Sequence, residues 1–249
     1  RYKLIRERFR AVPPVVPPVQ EQAVEVIRQA QTAGRTALDE YEAKQLLALY
    51  GVPVTREVLA LTKQDTVDAA EGIQYPVALK ACSWDIQHKS GKGLIALNIE
   101  DAAQVKKAFD SIQKAAGRHA AVLVQEMVSG NREFLAGMTR FAGFAPCVVF
   151  GLGGVLTEIY QDTTIRQAPL TAVDAKEMFA DLRTGKLLGE YRGMAPVKLN
   201  VLTQILQTVG DIALLHPEIA EIDLNPIIIR DDEPIVADAL MILKASVQG

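Results

Sequence analysis

The chain has 249 residues, 49% of them hydrophobic, with 27 basic against 30 acidic side chains and a formal net charge of -3. That supplies core for one large domain or two subdomains, and the dispersed, nearly balanced charge leaves no electrostatic footprint for nucleic acid or an anionic membrane. Cys82 and Cys147 sit in apolar runs without C-x-x-C spacing, which argues against a disulfide frame or zinc; with no membrane-length apolar run and no signal peptide, a cytoplasmic protein with two buried thiols is expected.

Residues 1–36 read as a proline-rich linker from a preceding domain. A basic opening, RYKLIRERFR, is followed by AVPPVVPPVQ, which holds four of the 12 prolines and favours extended polyproline geometry. A short helix is expected over 19–33. The chain opens on Arg1 rather than methionine, as a piece of a longer polypeptide would. From Leu38 a helical stripe of Leu38, Tyr41, Leu46, Leu47 and Tyr50 runs to Gly51, with Pro53 beyond. Strand patterns follow at 77–82, 94–99, 121–127 and 133–140, with a helix over 101–116. A second block carries strands at 146–151 and 155–160, helices near 172–182 and 198–216, and closing strands at 221–229 and 235–242. The expected class is α/β, with two subdomains sharing a cleft.

Several residues in this frame carry chemistry. Asp223 and Asn225, two apart in a strand, point to one face and offer oxygen ligands. Asp238 is a lone acid in the next apolar strand, where a buried carboxylate needs a partner such as a cation. Hard oxygen ligands of this kind suit Mg²⁺, which is commonly held by one or two protein groups together with substrate phosphates. A simple hairpin pairing 229 with 235 would turn Asp238 away from Asn225, so a register shift or bulge near Pro226 is expected. Lys80, inside VALKAC, would be costly to bury unless it meets an anion such as a nucleotide phosphate; a lysine snorkelling to solvent is the other reading. His88 lies in a loop with Lys89, Ser90, Gly91, Lys92 and Gly93, where an imidazole is a competent phosphate acceptor; an ordinary surface histidine fits the spacing as well. His119 and His216 read as surface or capping residues. Gly151, Gly153 and Gly154 form either a phosphate loop or a tight hairpin, and neither a G-x-G-x-x-G nor a Walker pattern. Glu158, Asp162 and Arg166 recur every four residues, as solvated charges also do.

Taken together, the segments LDEYEAKQLLALYGVPV, VALK, DIQHKS, VLVQEMV, REFLAGM, FGLGGVLTEI, EYRG, EIAEIDLNPI and VADA, in that order, resemble the ATP-grasp (β-subunit-like) part of ADP-forming acyl-CoA synthetases, with a weaker likeness to the succinyl-CoA synthetase β subunit. The resemblance covers nearly everything after residue 37. It implies an ATP-grasp domain over 37–249, with a first subdomain at about 54–125 and a second at 126–249 joined by helix 38–50. ATP or ADP with Mg²⁺ would lie in the cleft between them. By the same resemblance Lys80 holds phosphates, Gln125, Glu126, Met127 and Val128 form the adenine-receiving hinge, and Glu133 supports the nucleotide. Asn225 and Asp238 fall on the metal positions, and Asp223 beside the transferring phosphate. Gly153, Gly154 and Arg166 line the inner cleft, and His88 matches the histidine of D-I-x-H-K-S that relays phosphate to ADP. Family members commonly continue H-K-S-D-V-G-G-V where this chain reads HKSGKGLI; Lys92 could compensate, or the relay could be impaired.

The implied reaction exchanges acyl-CoA, phosphate and ADP with acid, CoA and ATP, this chain performing the nucleotide half beside a CoA-binding α part. One alternative is a regulatory, ligand-binding ATP-grasp module of the kind carried by synthetase-like protein lysine acetyltransferases. Another is a carboxylate–amine ATP-grasp ligase, against which the histidine loop counts.

Overall fold

The computed structural model describes residues 16–86, 93–116, 120–154 and 161–245. These build two antiparallel sheets, of seven and four strands. In chain order the elements are α1 (Glu21–Thr32), β1 (Ala37–Leu38), α2 (Glu40–Leu49), β2 (Glu57–Ala60), α3 (Lys63–Ile73), β3 (Val77–Cys82), β4 (Ile95–Ile99), α4 (Ala102–Ala116) and β5 (Ala121–Glu126). There follow β6 (Glu133–Thr139), β7 (Cys147–Leu152), β8 (Thr163–Gln167), α5 (Ala172–Asp181), a 3₁₀ turn at Gly185–Leu188, α6 (Leu199–Leu215), β9 (Ile219–Arg230), β10 (Glu233–Val236) and β11 (Leu240–Leu243).

The smaller sheet runs β2-β5-β3-β4. Its apolar face, with Leu79, Ala81, Val122 and Val124, packs against α3 and α4 through Val67, Ala70, Val105, Phe109 and Ile112. The larger sheet runs β1-β11-β9-β6-β7-β8, with β10 also on β9. Helices α1, α2, α5 and α6 close one of its faces in a single core that includes Phe134, Phe150, Met178, Leu206 and Ile222. Gly210 lets α6 lie close to the sheet, since a Cβ there would meet Ala168 and Val148 at 3.2 and 3.3 Å.

Helix α2 begins where a capping box forces it to. Asp39 accepts from the Glu42 N–H at 2.9 Å while Glu42 accepts from the Asp39 N–H at 3.0 Å, satisfying donors that a helix start leaves open. The short helix expected over 19–33 is α1, but its Ala23, Ile27 and Ala30 sit in the larger core and not in a linker. The expected strand at 155–160 falls outside the described residues. Strands β2 and β8, the short β1, and helix α3 were not foreseen; each lacks a long enough apolar period to announce itself. Both cysteines are buried and neither is in a disulfide, and among the described residues no helix is long and apolar enough to cross a membrane.

His216 is the C-cap of α6 and is buried, with Nε2 2.7 Å from the Tyr50 hydroxyl, which also accepts from the Gln20 N–H. It caps, but it is not at the surface. Burial lowers its pKa below the ordinary 6.5, against a smaller opposing effect of Glu218. The folded protein therefore holds His216 neutral while the unfolded chain takes up a proton near 6.5. Stability is fully present above that value and falls as pH drops through it, by at most about 1.4 kcal/mol per pH unit. Thermal melts across a pH series are expected to show this decline, with a shallower slope in His216→Gln.

Candidate functional site

The two sheets meet where β3 faces the strand pair β10–β11. Lys80 projects from the middle of β3 and is 6% exposed, so its ammonium needs anions. It does not snorkel. Its Nζ donates to Glu40 Oε1 at 2.6 Å and to the Ala237 carbonyl at 2.9 Å, and lies 3.6 Å from Asp238 Oδ2. Burial alone would lower the Lys80 pKa; the carboxylates of Glu40, Asp238 and Glu57 outweigh it and raise it. Gln125, on β5, is also buried, and its Nε2 donates to the same Ala237 carbonyl at 3.1 Å.

The segment that receives these donors is an interruption in what the sequence reads as one strand. β10 and β11 lie end to end along the same flank of β9, with residues 237–239 between them outside the ladder. The hairpin pairs Arg230 with Glu233, one residue off the simple register assumed above, around a turn at Asp231, whose φ is +59°. Counting inwards from Val236↔Ile227 and from Leu240↔Asp223 places Asp238 opposite Asn225. The expected irregularity at Pro226 also exists, on the other flank. There the β6–β9 register shifts between Phe134↔Ile227 and Ala136↔Leu224, so that Asn225 and Pro226 together oppose Leu135, the two-against-one arrangement of a bulge.

Asn225 Oδ1 accepts from the Gly154 N–H at 3.0 Å. Gly154 has φ +66° and packs directly on the Glu133 carboxylate, and Gly153 donates its N–H to the Glu133 carbonyl at 2.9 Å. Glu133, Gly153, Gly154 and Asn225 thus form one cluster; Asp238, opposite Asn225 in the register, lies 3.6 Å from Lys80, and the adjacent Ala237 carbonyl takes both Lys80 and Gln125. Asp223 lies on the same strand as Asn225. Its carboxyl is pushed up to about 6, chiefly by burial and then by Glu221 and Asp238. Asn225 and Asp238 offer neutral and anionic oxygens of the kind a hard cation takes. The donor set fits Mg²⁺ as a two-residue anchor.

The residues expected to form the hinge are already engaged. The Glu126 carboxylate accepts from Arg56 N at 2.9 Å and Nε at 3.1 Å, with Arg230 Nη1 at 3.4 Å; these partners outweigh burial and lower its pKa. Met127 N–H donates to the Pro76 carbonyl at 3.2 Å, and Val128 is buried. Arg166 is a correction. It shares a row with Val148, Met138 and Ile222 on the helix-covered face, whereas Asp223 lies in the row of Gly137, Val149 and Ile165 on the other. Its guanidinium binds Asp181 at 2.6 Å, with Glu177 at 3.7 Å, so it does not line this site. Asp162, read as a solvated charge, is buried and accepts from Thr184 N and Arg183 N at 2.7 and 3.0 Å. His88, His119 and Glu158 fall outside the described residues.

Sequence reasoning missed Glu40, Lys44 and Glu57. Lys44 is fully buried; its Nζ pairs with Glu40 Oε1 at 2.9 Å and with Glu57, and donates to Thr55 Oγ1 and Gln125 Oε1 at 3.3 and 3.2 Å. A signal was present: Glu40 and Lys44 fall at the same helical spacing as Ala43 and Leu47, two charges on a face that must be buried.

A family model described as an ATP-grasp domain matches residues 29–243. The chain is 39% identical to the acetate–CoA ligase (ADP-forming) I subunit beta of Pyrococcus furiosus over 89% of this chain and 97% of that subunit. It is 34% identical to the acetate–CoA ligase (ADP-forming) I of Archaeoglobus fulgidus over 90% of this chain, spanning 33% of that longer protein. Among solved structures, an acetyl-coenzyme A synthetase 1 of Ca. Korarchaeum cryptofilum in complex with coenzyme A and Ca-AMPCP matches at 36% identity and TM-score 0.85, covering 89% of this chain and 100% of that one. A form of the same enzyme with coenzyme A and Mg-AMPPCP, its phosphohistidine segment pointing towards the nucleotide binding site, matches at TM-score 0.80.

A Cβ on Gly153 would run into the Phe134 backbone carbonyl and stand 2.9 Å from its Cα. Backbone cannot yield as a side-chain tip does. Gly153→Ala is expected to destabilise by about 1–3 kcal/mol and to displace Gly154 from Asn225, read as a lower melting temperature together with weakened nucleotide binding.

Proposed function

The chain belongs to the ATP-grasp family, and we propose that it supplies the nucleotide-binding and phosphate-transfer half of an ADP-forming acyl-CoA synthetase, interconverting acyl-CoA, ADP and phosphate with acid, CoA and ATP. The observation that carries this reading is the convergence of Lys80 and Asp238, from different sheets, on one point 3.6 Å across. A buried ammonium beside a carboxylate that faces an amide oxygen suits a phosphate with its metal ion. Lys80 binds phosphate oxygens, and Asn225 and Asp238 hold Mg²⁺, which supplies charge neutralisation along the phosphates. Gln125, Glu126, Met127 and Val128 border the base, with Glu133, Gly153 and Gly154 along the nucleotide.

Phosphate transfer needs little covalent chemistry from the protein beyond position and charge. In the ATP-forming direction the N–P bond of a phosphohistidine breaks as a terminal phosphate oxygen of ADP forms the new O–P bond, and the imidazole is regenerated. We assign that histidine in this chain to His88, and Asp223 to the position beside the transferring group. The acyl and CoA steps fall to a CoA-binding α part, separate as the Pyrococcus β subunit's name implies or fused as in the longer Archaeoglobus ligase. Two buried cysteines outside any disulfide suit a cytoplasmic setting. The relatives reported above are ligases, which favours the catalytic reading over the regulatory module.

Calorimetric titration with Mg-ATP tests the site. Lys80→Ala and Asp238→Ala are each expected to weaken binding by about tenfold or more, and unchanged affinity in both would refute the assignment. Incubation of the full-length protein with γ-labelled ATP tests the relay: acid-labile label is expected in wild type and absent in His88→Ala. Active wild type without label would remove His88 from the mechanism.

A further inference from the structure

We infer that Arg132 is a positioning residue for the nucleotide: its buried guanidinium pins the start of β6 and so fixes where the Glu133 carboxylate meets the nucleotide. This rests on the placement of Glu133 along the nucleotide given above and extends it to the residue before it, whose side chain reaches a different part of the fold.

The link between the expected hinge and β6, residues 127–132, carries no regular element. On the β9 side, β6 then keeps only the pairs Glu133↔Ile228 and Phe134↔Ile227 before the register shifts. So short a ladder end opens easily unless something else holds it. Packing does not hold the link on every side, since Ser129, Gly130 and Asn131 line a cavity of about 400 Å³ together with Met194 and Ala195. Towards β9 it is tight: a Cβ on Gly130 would run into the Ile229 carbonyl and stand 2.7 Å from Ile228 Cγ2. The Arg132 carbonyl accepts from the Ile229 N–H at 3.0 Å.

Arg132 supplies the anchor. It is 4% exposed; its Nη1 donates to the Leu187 and Gly189 carbonyls at 3.1 and 3.3 Å, and its Nη2 to the Ala195 and Asp231 carbonyls at 2.8 and 3.1 Å. All the Nη protons are thereby used. The acceptors come from the 3₁₀ turn and its exit, from the stretch before α6, and from the turn between β9 and β10. Only a guanidinium offers a planar fork to oxygens so disposed; an ammonium offers three protons from one point. Glu133 follows directly, its carbonyl taking the Gly153 N–H and its carboxylate meeting Gly154. A strand start that slips therefore moves this carboxylate against the glycine pair, and leaves Lys80, in the other sheet, where it is.

The test is a double-mutant cycle on Mg-ATP affinity, read by calorimetry on the full chain. Arg132→Lys, which keeps the charge and loses the fork, is expected to weaken binding by about fivefold to tenfold, and Glu133→Gln likewise. The double variant is expected to bind within about twofold of the weaker single variant, because the lysine has already misplaced the carboxylate. Combined with Lys80→Ala, by contrast, the Arg132→Lys loss is expected to multiply. Losses that multiply in both cycles, the mark of a merely structural role, would overturn the inference, as would no loss in either Arg132→Lys or Glu133→Gln. If Arg132→Lys fails to fold, Gly130→Ala, which pushes the same link off Ile229 and leaves the guanidinium in place, enters both cycles instead, and the same outcomes decide. Wild-type affinity in Arg132→Lys beside a normal loss in Lys80→Ala sinks this inference only, whereas binding indifferent to Lys80→Ala sinks the site reading with it.

Discussion

Two buried lysines and the carboxylates that neutralise them hold the architecture together. Taking an ion out of water costs several kcal/mol even after relaxation, and breaking a buried pair by removing one partner costs about 3–5 kcal/mol. Lys44 and Lys80 can be buried only because Glu40, Glu57 and Asp238 stand within reach. Those partners come from three places: helix α2 on the larger core, the edge strand β2 of the smaller sheet, and the break between β10 and β11. The ionic chain is therefore also the mechanical link between the two sheets. The hydrogen bonds of Thr55 N–H to the Val236 carbonyl and of Val236 N–H to the Pro53 carbonyl reinforce it beside the crossing point.

Much of this was legible in the residues. Strands at Val77–Cys82, Ala121–Glu126 and Cys147–Leu152, and helices α4, α5 and α6, lie within a residue or two of where periodicity put them. Lys80 was found because an ammonium in an apolar strand has few explanations. Asn225 and Asp238 were found from residue type, but the simple register set them apart. The hairpin turn shifts the pairing by one residue, and an alternation of period two cannot reveal where a turn sits. The interruption at 237–239 was invisible for a related reason: VADAL keeps an apolar composition, while the loss of pairing is imposed by donors arriving from Lys80 and Gln125 in another sheet.

The misses share a cause. Arg166 was placed in the cleft by resemblance, yet its position in β8 turns it to the helix side, where Asp181 and Glu177 claim it. Glu40 and Lys44 were not singled out, since i, i+4 charge pairs also decorate helix surfaces. Their spacing with the buried Ala43 and Leu47 was the sign that the pair faces inward. The helix at 21–32 was expected but assigned to the linker with the proline run before it, although Ala23, Ile27 and Ala30 at spacings of four and three already mark a docking face.

The position of α2 has a consequence for how the protein is made. Glu40 and Lys44 leave the ribosome early, Lys80 follows, and Ala237 and Asp238 emerge late. A nascent chain ending at β9 can seat Lys80 against Glu40, but it has neither the Ala237 carbonyl nor the second carboxylate. Domains acquire their long-range contacts only as the distant segments appear. The set of Glu40, Lys80, Ala237 and Asp238 is therefore complete only late in synthesis, once β10 and β11 have emerged.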